Sequence, residues 1–395
     1  MKIRTLPFLA SLALASMALA QAGTLKVVSS LPRTGSANAQ TTTMVNGIKM
    51  AIDEVGGKVD GWTIEYEDMD DASPQRGNWD ASIEAQNANR SVRDPKVIGY
   101  IGTYNSGAAK ISMPILNKAG LVMISPGNTY TGLTKPGTGE ANEPRVYRPT
   151  GKINYFRVVP ADDLQGRMAA DWSKELGCKT VYLLDDRELY GKGIADVFEK
   201  RAKELGITVL GREGIDSKAS NYKALANKIK AAKPDLVYFG GTTQTNAGQI
   251  AKDLRSVGVE AKYMVPDGCF EKAFIEAAGA ANLDGKTYIT FGGLPADKLT
   301  GRGAEFRKAY LERYKTEPEA YALYGYEAAR ALLDGVRRAK TKDRAGILEA
   351  VAATKDFEGA LGTWSFDENG DTTSRIMSGQ TVENGEFKFV KVLGQ

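Results

Sequence analysis

The stretch Val97–Thr129, VIGYIGTYNSGAAKISMPILNKAGLVMISPGNT, decides the fold. Apolar residues Val97, Ile98, Tyr100 and Ile101 read as a short strand, and Gly102 to Gly107 as a polar turn. A helix is expected over Ala108–Ala119, a second strand over Leu121–Ile124, and a second polar turn over Ser125–Thr129. Both turns therefore fall at carboxyl ends of strands. In an open α/β sheet that edge gathers free backbone N–H groups and helix N-termini, so two hydroxyl-bearing turns side by side form a receptacle for an anion such as a carboxylate.

Working outward, strand and helix patterns alternate. Before this stretch come a strand at Leu25–Ser29, a helix at Thr41–Val55, a strand at Thr63–Glu67 and a helix at Ala81–Arg93. After it, helices near Gln165–Leu176, Ile194–Leu205, Tyr222–Ala232 and Asn246–Val257 alternate with strands Val181–Leu184, Thr208–Arg212, Leu236–Phe239 and Tyr263–Val265. Repeated βα units predict parallel sheets with helices on both faces, and two such series predict two similar lobes. The Gly- and Pro-rich segment Pro136–Thr150 has no hydrophobic period and reads as the surface loop between the series.

Composition narrows the function classes. The chain has 395 residues, no histidine, and only two cysteines, Cys178 and Cys269. Ser-His-Asp and Cys-His catalysis are thereby excluded, together with histidine metal sites and Cys-only zinc sites. The two cysteines sit at opposite ends of their strands, Cys178 before one and Cys269 after another, so two free thiols are expected. Residues 1–20 carry Lys2 and Arg4 ahead of the apolar run Leu6–Ala20 and end in Ala-Leu-Ala, the pattern of a signal peptide cut after Ala20. Without them the formal charge drops from +4 to +2, which implies no broad nucleic-acid surface.

The pairing of IGTYNSG (Ile101–Gly107) with ISPGNT (Ile124–Thr129) resembles the periplasmic solute-binding proteins for branched-chain amino acids, the ligand-capturing subunits of ABC importers. The likeness extends to YEDMDDASPQ at Tyr66–Gln75, DDRELYGKG at Asp185–Gly193, DLVYFGG at Asp235–Gly241 and SVGVEAKYMVPDG at Ser256–Gly268. It implies a type I periplasmic binding protein fold of two Rossmann-like lobes joined by a three-strand hinge. Lobe I would comprise residues 24–157 and 290–366, and lobe II residues 158–289 and 367–395. It further implies an exported monomer that closes on a small amino acid and is then recognised by a membrane permease, with no enzymatic activity.

Residue by residue, Ser106 and Thr129 match the hydroxyls that bind the ligand carboxylate in that family. Gly127 matches the carbonyl and Asp267 the acid that take the ligand ammonium, with Asp standing where the family often has Glu. Tyr190 matches an aromatic facing the cleft from lobe II, and Tyr104 lies two residues before Ser106. At Gln40 and Thr242 the family carries tyrosines, so the pocket is expected to be more polar or more open here. The plainer alternatives are that Ser106 and Thr129 cap the helices that follow, and that Asp267 serves the Pro-Asp-Gly turn.

Other signals are weaker. Asp68, Asp70 and Asp71 read as a solvated loop or turn caps. Asp367–Asp371 looks like part of a calcium loop without its distal Glu. With no GxxxxGK[ST] and no GxGxxG, no nucleotide cofactor is expected. A binder of an amide, urea or aromatic acid is the nearest alternative; a receptor's sensing domain would need an output segment beyond Gln395, and an exported hydrolase a pair of carboxylates across a cleft.

Overall fold

The computed structural model describes residues 23–394; the signal-like segment 1–20 lies outside them. Two separate sheets form the frame. The first has the strand order Lys58–Val59, Trp62–Asp70, Thr24–Leu31, Val97–Gly102, Val122–Ser125, Tyr155–Arg157. All its pairs are parallel except that of the two-residue edge strand Lys58–Val59. Val97–Gly102 is buried along its whole length, as a central strand covered on both faces must be.

The second sheet runs Thr208–Gly214, Thr180–Asp185, Leu236–Gly240, Lys262–Val265, Thr287–Gly292, Met377–Glu383, Glu386–Val392. Its first five strands are parallel, and the last two add antiparallel. The fold is thus doubly wound α/β, with an antiparallel edge that alternation alone did not reveal. The expected βα series keep their order, and helix Ala81–Arg93 has its expected limits, with the Asp80 side chain accepting from Ser82 N–H at 2.9 Å. Helix Ser106–Lys118 starts two residues earlier than read, which brings Ser106 into its first turn. The seven-residue helix Lys272–Ala278 was not read at all, being too short to display a period.

After Thr287–Gly292 the chain returns to the first sheet. Helix Ala322–Arg338 packs on helix Asn38–Glu54 at close range, because a Cβ at Gly47 would collide with the Ala322 carbonyl and one at Gly325 with that of Met44. Arg344 locks the next helix down by donating to the carbonyls of Ser91, Val92, Asp94 and Val97. The segment 136–150 contains no strand and is largely exposed. Its Glu143 nevertheless turns inward and accepts hydrogen bonds from the Tyr130 and Tyr147 hydroxyls. Both cysteines are buried, and among the described residues both thiols are free. No helix there is long and apolar enough to cross a membrane.

The acidic run after Trp62–Asp70 departs from expectation. Asp70 does cap, accepting from the N–H groups of Arg33 and Ala72, and Asp68 pairs with Arg33. Asp71, however, is fully buried rather than solvated, because the hairpin of Ala72–Ser73 with Asn78–Trp79 folds over it. Beside it lies buried Glu84, which accepts from Ser30 Oγ at 2.6 Å and Tyr100 OH at 2.9 Å. Burial, and for Asp71 the neighbouring carboxyl as well, pushes both acids above the usual carboxylate range. The folded chain then holds a proton that the unfolded chain releases near pH 4.5, so this pair's contribution to stability falls as pH rises from there toward neutral. Glu84→Gln should lessen that slope, leaving the part that burial of Asp71 supplies: in urea unfolding the variant gains on the parent between pH 5 and pH 8. An unchanged difference at the two pH values would contradict it.

Candidate functional site

The two polar turns are stapled into one surface. Ser125 Oγ accepts from Asn128 N–H at 2.8 Å and Gly127 N–H at 3.2 Å, and donates to the Thr103 carbonyl. The Asn128 amide reaches across to the first turn, donating to Thr103 Oγ1 at 3.1 Å and the Tyr104 carbonyl at 3.0 Å. Ser106 Oγ accepts from Tyr130 N–H at 3.3 Å, so it ties the turns together and is not an N-cap; that place belongs to Asn105.

Three successive carbonyls behind the second turn are also held. Arg157, completely buried, donates to those of Asn128 at 3.2 Å and Tyr130 at 2.8 Å, while Asp162 N–H bonds that of Thr129 at 2.9 Å. The Arg157 Nε–H is bonded to Asp371 Oδ1 at 2.7 Å, and Asp371 belongs to the segment that read as a calcium-loop fragment. That segment instead supplies the counter-charge for a guanidinium. With its carbonyls turned away, the loop leaves the Thr129 hydroxyl buried on the side of Asp162.

The opposite wall comes from the second sheet. Asp267 opens the turn after Lys262–Val265, is 3% exposed, and accepts from Tyr190 OH at 2.6 Å and from Tyr321 OH. Tyr190 stands in the first turn of helix Leu189–Glu204. The glycines near it have a reason: a Cβ at Gly240 would collide with the Gly191 carbonyl, where that helix start crosses the end of its neighbouring strand. Tyr321 precedes helix Ala322–Arg338 on the first lobe and meets the Tyr104 ring edge to face at 5.7 Å. The Tyr321–Asp267 bond therefore spans the two halves.

Between these walls lies a cavity of about 20 Å³, roughly the space of a water molecule. Tyr104, Ser106, Gly127, Tyr190, Thr242 and Asp267, all singled out from sequence, line it together with Asn105, Gly268 and Tyr321. Thr129 lies in the same turn as Gly127 without reaching the cavity wall. Gln40 is also absent from the wall: it is buried, and its amide oxygen accepts from Tyr321 N–H at 3.4 Å, so it supports the tyrosine from behind.

Electrostatically the cleft is short of cations. Burial raises the Asp267 pKa, while the Tyr190 and Tyr321 hydroxyls pull it back down. Asp162, wholly buried, is raised by burial and then by the Asp267 charge, while the nearby Thr129 hydroxyl acts to lower it. Sequence reading missed Asp162 because an acid at a helix start looks like a response to the helix dipole. It missed Tyr321 because its partner Asp267 lies 54 positions away and no motif marks the tyrosine. Asn128 and Arg157 bore no local signal, since their partners lie far along the chain. Chemically, the site offers neutral donors at a helix N-terminus on one side and the buried, phenol-bonded carboxyl of Asp267 on the other.

Comparisons with known proteins agree with this geometry. A sequence model of the periplasmic binding protein family matches residues 24–386. Leu/Ile/Val-binding protein homolog 1 of Brucella abortus is 30% identical over 345 residues, 86% of this chain and 85% of that protein. The leucine binding protein LivK of Thermotoga maritima superposes with a TM-score of 0.82 at 27% identity, over 93% of this chain and 98% of that one. The branched-chain amino acid transporter substrate binding protein LivJ of Streptococcus pneumoniae, solved in complex with isoleucine, gives 0.81 at 26% identity over 93% and 99%. With two doubly wound sheets facing each other across a small cleft, and a family match over nearly all the described chain, this protein belongs to the periplasmic binding protein family.

Proposed function

We propose that this protein is the exported solute-binding component of an ABC importer, and that it captures a small amino acid in the cleft between its sheets. The functions of its relatives support the class. The single observation that carries the reading is the meeting, in one cavity, of the Ser106 and Gly127 turns with Asp267 from the opposite sheet. An α-carboxylate fits the first wall, where Ser106 and the helix start supply neutral donors, with Thr129 in the adjoining turn behind it. An ammonium fits between the Gly127 carbonyl and Asp267, because a cation taken out of water needs a charged partner.

In this reading residues 24–157 with 290–366 form one lobe, and 158–289 with 367–395 the other. Three chain crossings make the connection a bending hinge, and a ligand that touches both lobes only when they meet favours the closed form. Asp267 and Tyr190 would supply those late contacts, with Tyr321 exchanging its bond to Asp267 for one shared with the ligand. A permease would then receive the closed form, the protein acting as a monomer after loss of residues 1–20.

The test is thermal unfolding of refolded, ligand-free protein against amino acids, amides, urea and aromatic acids. An amino acid at ~1,000 times its dissociation constant should add about 4 kcal/mol of stability. Stabilisation only by solutes lacking an ammonium would overturn the role of Asp267, and no stabilisation by any solute would overturn the reading.

A further inference from the structure

Gly193 stands inside helix Leu189–Glu204, where glycine is a poor helix former and alanine the best. A Cβ there would meet Tyr130 Cδ2 at 2.5 Å and Cε2 at 2.7 Å, so the aromatic ring is seated against the bare main chain of the helix. Tyr130 follows the second polar turn, on the side of the first sheet, and the helix follows strand Thr180–Asp185 of the second. The contact therefore joins the two halves that must part to admit a solute.

The ring is not free to step aside. Tyr130 is 6% exposed, and its hydroxyl donates to Glu143 Oε2 at 2.9 Å. That oxygen also accepts from Glu140 N–H at 2.8 Å, and the other from the Tyr147 hydroxyl. A Cβ at Gly132 would collide with Glu143 Oε2 and the Tyr130 ring, and one at Gly139 with Glu143 Oε2 and the Tyr130 hydroxyl. The segment that reads as a surface loop is thus folded around one buried carboxyl, and that carboxyl fixes one ring.

Tyr130 is tied directly to the cleft. Its N–H donates to Ser106 Oγ at 3.3 Å, and its carbonyl accepts from Arg157 at 2.8 Å. On the other half, Gly193 lies about one helical turn after Tyr190, whose hydroxyl bonds Asp267. Both residues of the contact also line a space of about 700 Å³ between loop residues 137–140 and this helix, so the gap on this side narrows to contact at them. Resting on the reading of the cleft as an amino-acid site that closes, we infer that Tyr130 is a positioning residue for solute capture. Its ring, held by Glu143, seats in the notch at Gly193 in the closed form and sets the Ser106 wall against the Tyr190–Asp267 wall. A methyl group in the notch holds the walls apart, and solute affinity carries the cost of the closure so blocked. The open form leaves the notch empty, and there the same methyl favours the helix. The two effects have opposite signs, which a glycine needed only for folding does not produce.

Calorimetric titration of the refolded, ligand-free parent with the proteinogenic amino acids identifies the one it binds most tightly, which is then carried to the variants. Gly193→Ala should weaken its binding at least tenfold and Gly193→Leu further, while ligand-free Gly193→Ala unfolds at the parent temperature or above. On a Tyr130→Ala background the step Gly193→Ala should change affinity less than twofold, the ring being gone. Affinity of Gly193→Ala within twofold of the parent, a lower ligand-free unfolding temperature, or the same loss with and without the Tyr130 ring would overturn the inference and leave the amino-acid reading standing. Binding of no amino acid by the parent would overturn both.

Discussion

Asp267→Ala is expected to weaken amino-acid binding by about 2–5 kcal/mol, roughly 30- to several-thousand-fold. Asp267 is buried, and its wall of the cavity contains no cation. A carboxylate has about four acceptor sites, and here the Tyr190 and Tyr321 hydroxyls occupy two, leaving room for an ammonium N–H. Truncation would leave that ammonium closed in beside neutral phenols only. The ligand-free protein should lose little by it, since burial disfavours the charged carboxylate even with both phenols bonded to it. Affinity within twofold of the parent would remove Asp267 from the site.

Arg157→Met is expected to cost about 3–5 kcal/mol of folding stability, the usual result of stranding one member of a buried ion pair. Asp371, 4% exposed, would lose the Arg157 Nε–H and keep only the Thr134 hydroxyl and a longer 3.6 Å contact with Lys135. Burial acts to raise its pKa, yet the guanidinium holds it below the ordinary carboxylate value of 3.8. A carboxyl depressed in the folded state contributes stability above its unfolded pKa and loses it as pH falls below, so the pair is fully effective above about pH 4. Arg157→Met with Asp371→Leu should recover most of the loss, because an apolar pair of similar size is tolerated where a lone charge is not. The double variant should still bind solute more weakly, having freed the Asn128 and Tyr130 carbonyls that shape the second turn. Urea unfolding with ligand titration separates the two effects; equal losses in the single and double variants would refute the ion-pair explanation.

What could be read from sequence follows physical range. The strands Val97–Gly102 and Leu236–Gly240 are short, apolar and bounded by glycine, so their existence and the turns at their carboxyl ends were legible. The family resemblance then picked out Tyr104, Ser106, Gly127, Tyr190, Thr242 and Asp267, each one or a few residues past a strand. Residues whose surroundings are made by distant chain were not. Asp71 looks solvated in its acidic run, yet the fold buries it completely, beside Glu84 of the helix that follows. Gln40 sits where a pocket residue was expected, but its amide is turned to the Tyr321 backbone, 281 positions away. Arg157 and Asp371 are separated by 214 residues and meet only because the chain crosses between the sheets there. Burial of a charge is a tertiary event, and local pattern carries no trace of it.

The central claim, that a solute is held by both lobes and shuts the cleft between them, is tested most directly by an interlobe distance. Asn89 and Lys200 are exposed on helices over the first and second sheets, and both native cysteines are buried, so Asn89→Cys with Lys200→Cys accepts a pair of spin labels selectively. Addition of the best-stabilising amino acid should replace a broad distance distribution with a single shorter one, and should fail to do so when Asp267→Ala is added. A distribution that stays unchanged while the amino acid is bound would contradict capture by closure.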